Sequence, residues 1–231
     1  MSTLNWRIRN QFRRFLYAEG LVGSLARSAR SLVPSESFDQ RYWDRHLSGE
    51  FAPYLGGTPS IDARNALVVT LLSHHARTAS RLLDVGCAAG ALSTALPAQY
   101  RRYMGIDISA YAIDEARKRV ARPGCEFFVS DLQSFQLEED FDVIVFNEVL
   151  YYVPFDDVLA ELDRYASFLS SEGVVCISMK HDPRNEATYR RMARKWRYLS
   201  GFFYQEKTSP EHRISLNRER PAHLLSLWRP L

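Results

Sequence analysis

Acidic residues and glycines recur in this sequence where a nucleotide-binding turn would need them. Asp84 lies within a short apolar run, and Gly86 and Gly90 follow it with only small residues between them. Glycine permits positive φ and lets a ligand approach the backbone closely. Asp107 ends a second apolar run about 20 residues later, where a carboxylate accepts hydrogen bonds from ribose hydroxyls. This spacing predicts a site for an adenosine-containing ligand.

The pattern around the turn distinguishes two classes of ligand. Dinucleotide sites use G-x-G-x-x-G, but here Cys87 and Ala88 follow the first glycine. The D-x-G-x-x-x-G pattern resembles the first motif of class I S-adenosylmethionine (SAM) methyltransferases, with Ala88 where the family usually has a second glycine. Asp131 and Leu132 follow a third apolar run. The resemblance implies that this acid bonds the adenine amino group and that Leu132 packs on the ring, which a nicotinamide site would not require.

The resemblance implies SAM as the cofactor and extends to residues outside the turn. Arg64, ahead of the turn, would pair with the SAM carboxylate, since arginine binds carboxylates in a bidentate manner. Tyr42 and Trp43 resemble an aromatic lid that excludes water from the sulfonium, although packing on the core is an equal alternative. Ile108 follows the second acid, and Asn147 ends the fourth apolar run beside the turn, where the methyl group would be presented.

The candidates for contact with the methyl acceptor are Glu148, Tyr151, His181 and His46. Glu148 follows the fourth strand and could bind an ammonium or hydroxyl group or take a proton, although an acid at a helix N-terminus is an equal alternative. His181 is a candidate because histidine is the residue type best suited to act as a base near neutral pH, although a lone histidine at the rim of a sheet is more often simply solvated. The three cysteines and the histidines lack metal-ligand spacing, so no metal is expected.

The acceptor is predicted to be a small molecule or glycan, methylated on an N or O atom. The segment N-E-V-L-Y-Y from 147 resembles the E-V-L-Y-Y of nodulation-type (NodS-like) N-methyltransferases, which act on a glucosamine unit of a chito-oligosaccharide. This likeness covers roughly residues 80–155. The signatures of DNA amino- and cytosine C5-methyltransferases are absent, which disfavours nucleic acid. The alternatives are an RNA or protein methyltransferase that uses the basic flanks, and a non-catalytic interaction protein.

The order of apolar runs predicts an α/β, Rossmann-like class I methyltransferase fold. We expect a seven-stranded, mostly parallel sheet with helices on both faces and an N-terminal helical extension. The near-continuous apolar run from Phe141 indicates a central strand. A helix over 63–75 is predicted to be capped by Ser60 or Asp62. A basic helix is predicted over 190–198, and the last two strands, 201–206 and 222–228, should form an antiparallel hairpin.

Charge is unevenly distributed along the chain and suggests its organisation. The first 33 residues hold six arginines and one acid, and residues 184–231 hold eleven basic and four acidic residues. We predict an N-terminal helical extension and lid over 1–59 and a SAM-binding domain over 60–231. Residues 1–33 could pack on the domain, contact an anionic membrane peripherally or act as a transit peptide. A cytoplasmic location is expected, and no sequence feature fixes the oligomeric state.

Overall fold

The computed structural model describes residues 39–55, 57–76, 80–137, 139–204 and 223–231. The predictions for residues 1–33 lie outside these ranges. The helices and strands follow in chain order: α1 Gln40–Ser48, α2 Ala52–Leu55, α3 Pro59–His75, β1 Arg81–Val85, α4 Ala91–Ala95, β2 Arg102–Asp107, α5 Ala110–Arg119, β3 Cys125–Val129, β4 Phe141–Asn147, a 3-10 turn Leu150–Tyr152, α6 Val158–Ala166, β5 Leu169–Lys180, α7 Pro183–Met192, β6 Trp196–Tyr204 and β7 His223–Pro230.

The seven strands form one sheet in the order β3-β2-β1-β4-β5-β7-β6. Strands β1 to β5 pair in parallel, whereas β7 runs antiparallel to both β5 and β6. The predicted fold class, the central position of β4 and the antiparallel pairing of the last two strands are confirmed. Strand β1 lies between β2 and β4. The chain runs outward from β1 to β2 and β3 and then crosses back to β4 on the other side of β1. This reversal opens a crevice at the carboxyl ends of β1 and β4.

Helices cover both faces of the sheet because successive strand residues point to opposite sides. In β4, Val143 and Val145 pack in the cluster that includes α3, α4 and α5. Ile144 and Phe146 pack on the opposite face with residues of α6 and α7. All four side chains are fully buried, and burial of each contributes roughly 1.5–3 kcal/mol. These two cores hold the strand ends in fixed positions.

One predicted helix was wrong. Residues 190–198 do not form a basic helix, because α7 begins at Pro183 and ends at Met192, and β6 begins at Trp196. Asp182 starts α7 early, since its side chain accepts a hydrogen bond from the Asn185 N–H at 3.0 Å. Residues 193–195 form a turn, and Trp196 to Tyr198 pair with β7. Tertiary pairing therefore overrides the local helical pattern here.

The helices beside the sheet also differ in detail from the prediction. Thr58, rather than Ser60 or Asp62, caps α3 by accepting a hydrogen bond from the Ile61 N–H at 3.3 Å. The helix after the glycine turn, α4, has only five residues. Within the described ranges, the longest helix has 17 residues, and none combines the length and apolar character needed to cross a bilayer.

Candidate active site

The glycine turn after β1 adopts a backbone shape that side chains resist. Gly86 has φ 74° and Gly90 has φ 72°, and Ala88 between them also has a positive φ of 46°. The N–H groups of Gly86 and Cys87 both donate to the Ile106 carbonyl, at 2.8 and 3.0 Å. A Cβ on Gly86 would lie 2.7 Å from Val149 Cγ2. The turn is therefore tied to β2 and leaves no space for a side chain at its first glycine.

Gly86→Ala is expected to lower the free energy of unfolding by about 2 kcal/mol, because the new methyl group meets Val149 and the positive φ is strained. Urea denaturation of Gly86→Ala, of Val149→Ala and of the double variant measures how much of this loss comes from the steric contact. We expect a favourable coupling of at least about 0.5 kcal/mol in this cycle. Strictly additive effects would show that Val149 does not limit the space at the turn.

Asp107, at the end of β2, is held against the glycine turn. One carboxylate oxygen accepts the Ala88 N–H at 3.0 Å, and the other accepts the Ser109 N–H at 2.9 Å. Burial raises the pKa of this carboxyl, with a further contribution from the nearby charge of Asp44, while the two backbone hydrogen bonds oppose the rise. The carboxylate is thus fixed in direction at the crevice.

Asp131 and Leu132 follow β3 and form the adjoining side of the crevice. Asp131 accepts the Gln133 N–H at 2.9 Å, which fixes the local turn. The Leu132 carbonyl accepts hydrogen bonds from the Tyr165 hydroxyl at 2.8 Å and from the Arg164 guanidinium. These contacts anchor the segment to α6, so its position relative to Asp107 is set by the core.

A cavity of about 290 Å³ opens at the carboxyl ends of the strands. It brings together residues predicted to bind the cofactor or acceptor, which are Trp43, Gly86, Ala88, Asp107, Ile108, Asp131, Leu132, Asn147 and Glu148. A smaller cavity of about 120 Å³ shares four of them, Gly86, Ala88, Asn147 and Glu148, and adds Arg64, Asp84 and Cys87. The two cavities therefore meet at the glycine turn and the end of β4.

Asp84 is the most deeply buried acid of the smaller cavity, with only 2 % of its surface exposed. The Tyr103 hydroxyl donates to its Oδ2 at 2.6 Å, while its Oδ1 has no hydrogen-bond partner among the described residues. Burial raises the pKa of Asp84 to about 7, partly opposed by the Tyr103 hydrogen bond. A buried carboxylate oxygen without a partner is suited to binding a polar ligand group.

Helix α1 covers one side of the larger cavity through Trp43. The indole packs edge-to-face against Tyr152, with ring centroids 4.8 Å apart. Asp44 joins α1 to the start of α5, because its Oδ1 accepts the Ser109 hydroxyl at 2.6 Å and the Tyr111 N–H at 3.1 Å. This contact holds the aromatic cover over the cavity.

Asp44→Ala is expected to lower the free energy of unfolding by about 1 kcal/mol, since it removes a side-chain acceptor from the first turn of α5. Thermal unfolding measures the change. Glu50→Ala, at an exposed acid just beyond α1, is the matched control and should have little effect. Equal stability of Asp44→Ala and Glu50→Ala would show that the contact does not anchor α1.

Glu148 lies where the two cavities meet, and it has a positive φ of 60°. Burial raises the pKa of its carboxyl, while the charge of Arg64 and hydrogen bonds from Ser178 and Tyr151 oppose the rise. Its Oε1 accepts the Ser178 hydroxyl at 2.7 Å and lies 3.9 Å from an Arg64 guanidinium nitrogen. Its Oε2 lies 3.5 Å from His223 Nε2.

Five predicted residues do not line either cavity: Tyr42, Gly90, Tyr151, His181 and His46. Tyr42 stacks on His46, with ring centroids 3.9 Å apart, and contacts Trp43 edge-to-face. Gly90 faces the core, where an added Cβ would lie 2.6 Å from Phe127. His181 packs edge-to-face on Phe203. Among the residues that the structure describes, no cluster of three or more metal-binding side chains occurs.

A family comparison agrees with this geometry. Residues 60–220 match the family model described as a methyltransferase domain. The chain belongs to the methyltransferase domain family. The family and fold predicted from the sequence are therefore confirmed.

Two curated relatives illustrate the range. Nodulation protein S of Rhizobium tropici is 40% identical over 111 residues, which cover 48% of this chain and 46% of the relative. A ubiquinone biosynthesis O-methyltransferase of Stutzerimonas stutzeri is 28% identical over 124 residues, covering 52% of this chain and 50% of the relative. The chain thus spans about half the length of these relatives.

A solved structure supports the fold of the methyltransferase domain. N-methyltransferase NodS from Bradyrhizobium japonicum WM9, in complex with S-adenosyl-l-homocysteine (SAH), superimposes with a TM-score of 0.67. It is 21% identical, and the match covers 83% of this chain and 97% of that one. At this identity the comparison shows the shared fold alone.

Sequence reasoning missed several residues of the site. Asn65 on α3 accepts the Asn147 side-chain N–H at 3.3 Å in the smaller cavity. Asp44 directly follows the predicted aromatic lid residues, so its place in that motif was a usable signal. His223 and Ser178 gave no signal, because each is a single polar residue in or beside an apolar strand, and only the sheet order brings them to Glu148.

Proposed function

We propose that this chain is a SAM-dependent methyltransferase that transfers a methyl group to an N or O atom of a small molecule or glycan. The observation that carries this proposal is the position of Asp107. Its carboxylate accepts a hydrogen bond from the glycine turn at the crevice. Asp107 lines the larger cavity together with Asp131 and Gly86. Carboxylates at this position of α/β folds bind ribose hydroxyls.

The polar atoms of the two cavities fit the parts of SAM. Asp107 would bind the ribose, Asp131 the adenine amino group, and Ile108 and Leu132 would pack on the adenine ring. In the smaller cavity, Arg64 would pair with the carboxylate of the methionine moiety. The Oδ1 atoms of Asp84 and Asn147, which have no hydrogen-bond partner among the described residues, would accept hydrogen bonds from its ammonium group.

SAM supplies an electrophilic methyl group on a positively charged sulfur. The chain's residues would position the acceptor in line with that methyl group, at about 3–3.5 Å, which can supply much of the rate. Gly86 provides the space at the turn, where a side chain would meet Val149. Trp43 would exclude water from the larger cavity. Glu148, at the junction of the cavities, is placed to bind the acceptor or take its proton.

The acceptor class is supported by the relatives, whose names include both nodulation protein S and an O-methyltransferase. A small molecule or glycan is therefore favoured over nucleic acid. We also propose a cytoplasmic location, with peripheral contact of residues 1–33 to an anionic membrane as a further prediction. Retention of the full chain on anionic liposomes at low salt, and its release at high salt, would test this contact.

Calorimetric titration of the full chain with SAM and SAH tests the function, followed by transfer of a labelled methyl group. Deacetylated chito-oligosaccharide and a catechol serve as the N and O acceptor probes, and transfer RNA as the nucleic acid comparison. We expect both cofactor forms to bind with dissociation constants on the order of 1–100 μM. The proposal would be contradicted if neither SAM nor SAH bound. The acceptor class would be contradicted if transfer RNA were methylated and neither probe acceptor was.

A further inference from the structure

Side chains from three strands and one helix surround the Glu148 carboxylate. Glu148 follows β4, Ser178 is on β5, Tyr204 ends β6, His223 begins β7, and Arg64 lies on α3. The side chains of Glu148, Arg64 and His223 are 12%, 14% and 16% exposed, and Ser178 and Tyr204 are fully buried. The sheet order places β5 beside both β4 and β7, so these contacts are built into the fold.

A hydroxyl chain reaches one oxygen of Glu148. The Ser178 hydroxyl donates to Oε1 at 2.7 Å, and it lies 3.0 Å from the Tyr204 hydroxyl. Each hydroxyl both donates and accepts. With Glu148 ionised, Tyr204 can donate to Ser178 and Ser178 to Glu148, and with Glu148 protonated the order can reverse. The chain therefore accommodates both charge states of the carboxyl without moving a heavy atom.

An imidazole reaches the other oxygen. His223 Nε2 lies 3.5 Å from Glu148 Oε2. The ring of His223 stacks on its cross-strand partner Tyr204, with centroids 5.2 Å apart and planes inclined by 21°. This stacking fixes the direction in which the imidazole faces the carboxylate. The arrangement is a carboxylate–histidine pair at the junction of the two cavities.

The backbone of Glu148 is also held in a conformation that non-glycine residues seldom adopt. Its φ is 60°, and its N–H donates to the Ser178 carbonyl at 2.9 Å. Such strain persists where the surrounding structure fixes it, and it is concentrated at functional sites. The backbone conformation of Glu148 and the contacts made by both of its carboxylate oxygens therefore fix the position of the same side chain.

Several charged or titratable groups act on Glu148 besides His223. Arg64 and Lys180 favour its ionised form, as does the hydrogen bond from Tyr151. The Glu148 charge in turn contributes to raised pKa values of three tyrosine hydroxyls, those of Tyr151, Tyr152 and Tyr189, for each of which burial is the largest cause. These tyrosines remain neutral at ordinary pH. Glu148, Arg64, Lys180 and His223 therefore determine the local charge.

We propose that His223 is a positioning residue that keeps Glu148 oriented and ionised, and that the Glu148–His223 pair holds the proton released by the methyl acceptor. The proposal rests on the proposed function for its role in turnover. The acceptor's lone pair forms the new bond to the methyl carbon as the carbon–sulfur bond breaks with its electrons left on sulfur. The acceptor's proton moves to the Glu148 carboxylate. The His223 imidazole stabilises this carboxyl group in both its ionised and its protonated form.

Histidine titration tests the pairing without an acceptor. The full chain, labelled with ¹⁵N-histidine and without cofactor, is titrated by NMR as wild type and as Glu148→Gln, and the His223 signal is assigned by its loss in His223→Gln. We expect the His223 midpoint to fall by about one pH unit in Glu148→Gln, because the facing negative charge is removed. A shift below about 0.2 unit would overturn the pairing. The exposed His74 signal is the internal control and should not move.

The pH profile of turnover tests the role, with deacetylated chito-oligosaccharide as probe acceptor. His223→Gln should move the acidic limb of kcat upward by about one pH unit, since Glu148 loses a neighbouring imidazole that carries a positive charge when protonated. His74→Gln should leave it in place. A loss of kcat by the same factor at every pH would reduce His223 to a structural role and overturn the proposal. Failure of the wild type to bind SAH would instead contradict the proposed function, while the NMR coupling reports on the pair itself.

Discussion

Replacing Asp107 by alanine is expected to weaken SAH binding by at least about 100-fold, because hydrogen bonds to a charged group contribute roughly 1.5–3 kcal/mol each. The side chain has two tasks. It would bind the ribose hydroxyls, and it anchors the Ala88 and Ser109 amides at 3.0 and 2.9 Å. Isothermal titration calorimetry of the folded variant measures the loss.

Two further variants separate these tasks from general effects. Asp107→Asn keeps one carbonyl acceptor and should bind SAH with intermediate affinity. Asp114→Ala removes an acid that lies on α5 in an exposed pair with Arg117 and should bind like the wild type. If Asp107→Ala binds SAH as tightly as Asp114→Ala, Asp107 does not contact the cofactor.

Asp84→Asn is expected to become more stable relative to the wild type as pH rises from about 4 to about 7. The pKa of Asp84 is raised to about 7 in the folded chain, mainly by burial, against about 3.9 when unfolded. The folded wild type therefore holds a proton that the unfolded chain releases, and it loses this stabilisation as pH rises through that window. The relative gain is up to about 4 kcal/mol, at about 1.4 kcal/mol per pKa unit.

Urea denaturation across this pH range measures the difference between variant and wild type. Only the change of this stability difference with pH is compared, so any pH-independent effect of the asparagine amide cancels. Above about pH 7 the difference should level off. Asp114→Asn, at an exposed acid, should show no comparable trend. A difference between Asp84→Asn and wild type that is flat from pH 4 to pH 7 would show that Asp84 is ionised throughout in the folded chain.

The sequence patterns predicted many of the residues that line the larger cavity, because these residues lie next to strand ends that are recognisable in the chain. Gly86 directly follows β1 and Asp107 is the last residue of β2, and parallel strands bring such ends to one edge of a sheet. The apolar run of β4 likewise indicated a central strand, since both of its faces are buried. These features could be read without knowing how distant segments meet.

The surroundings of Glu148 could not be read in the same way. Glu148 was a candidate, but Ser178 and His223 are 30 and 75 residues away in the chain and reach it only through the order of β4, β5 and β7. The helix predicted over 190–198 failed for a related reason, because pairing of Trp196 onward with β7 decides the conformation there. Long-range strand pairing is therefore what the sequence patterns did not capture.

A crystal structure of the full chain with SAH is the most direct test of where the cofactor binds. We expect ribose oxygens within about 2.6–3.2 Å of the Asp107 carboxylate and the adenine beside Asp131 and Leu132. We also expect the sulfur at the junction of the two cavities, next to Glu148. SAH bound outside these cavities, or with its ribose turned away from Asp107, would contradict the proposed cofactor site.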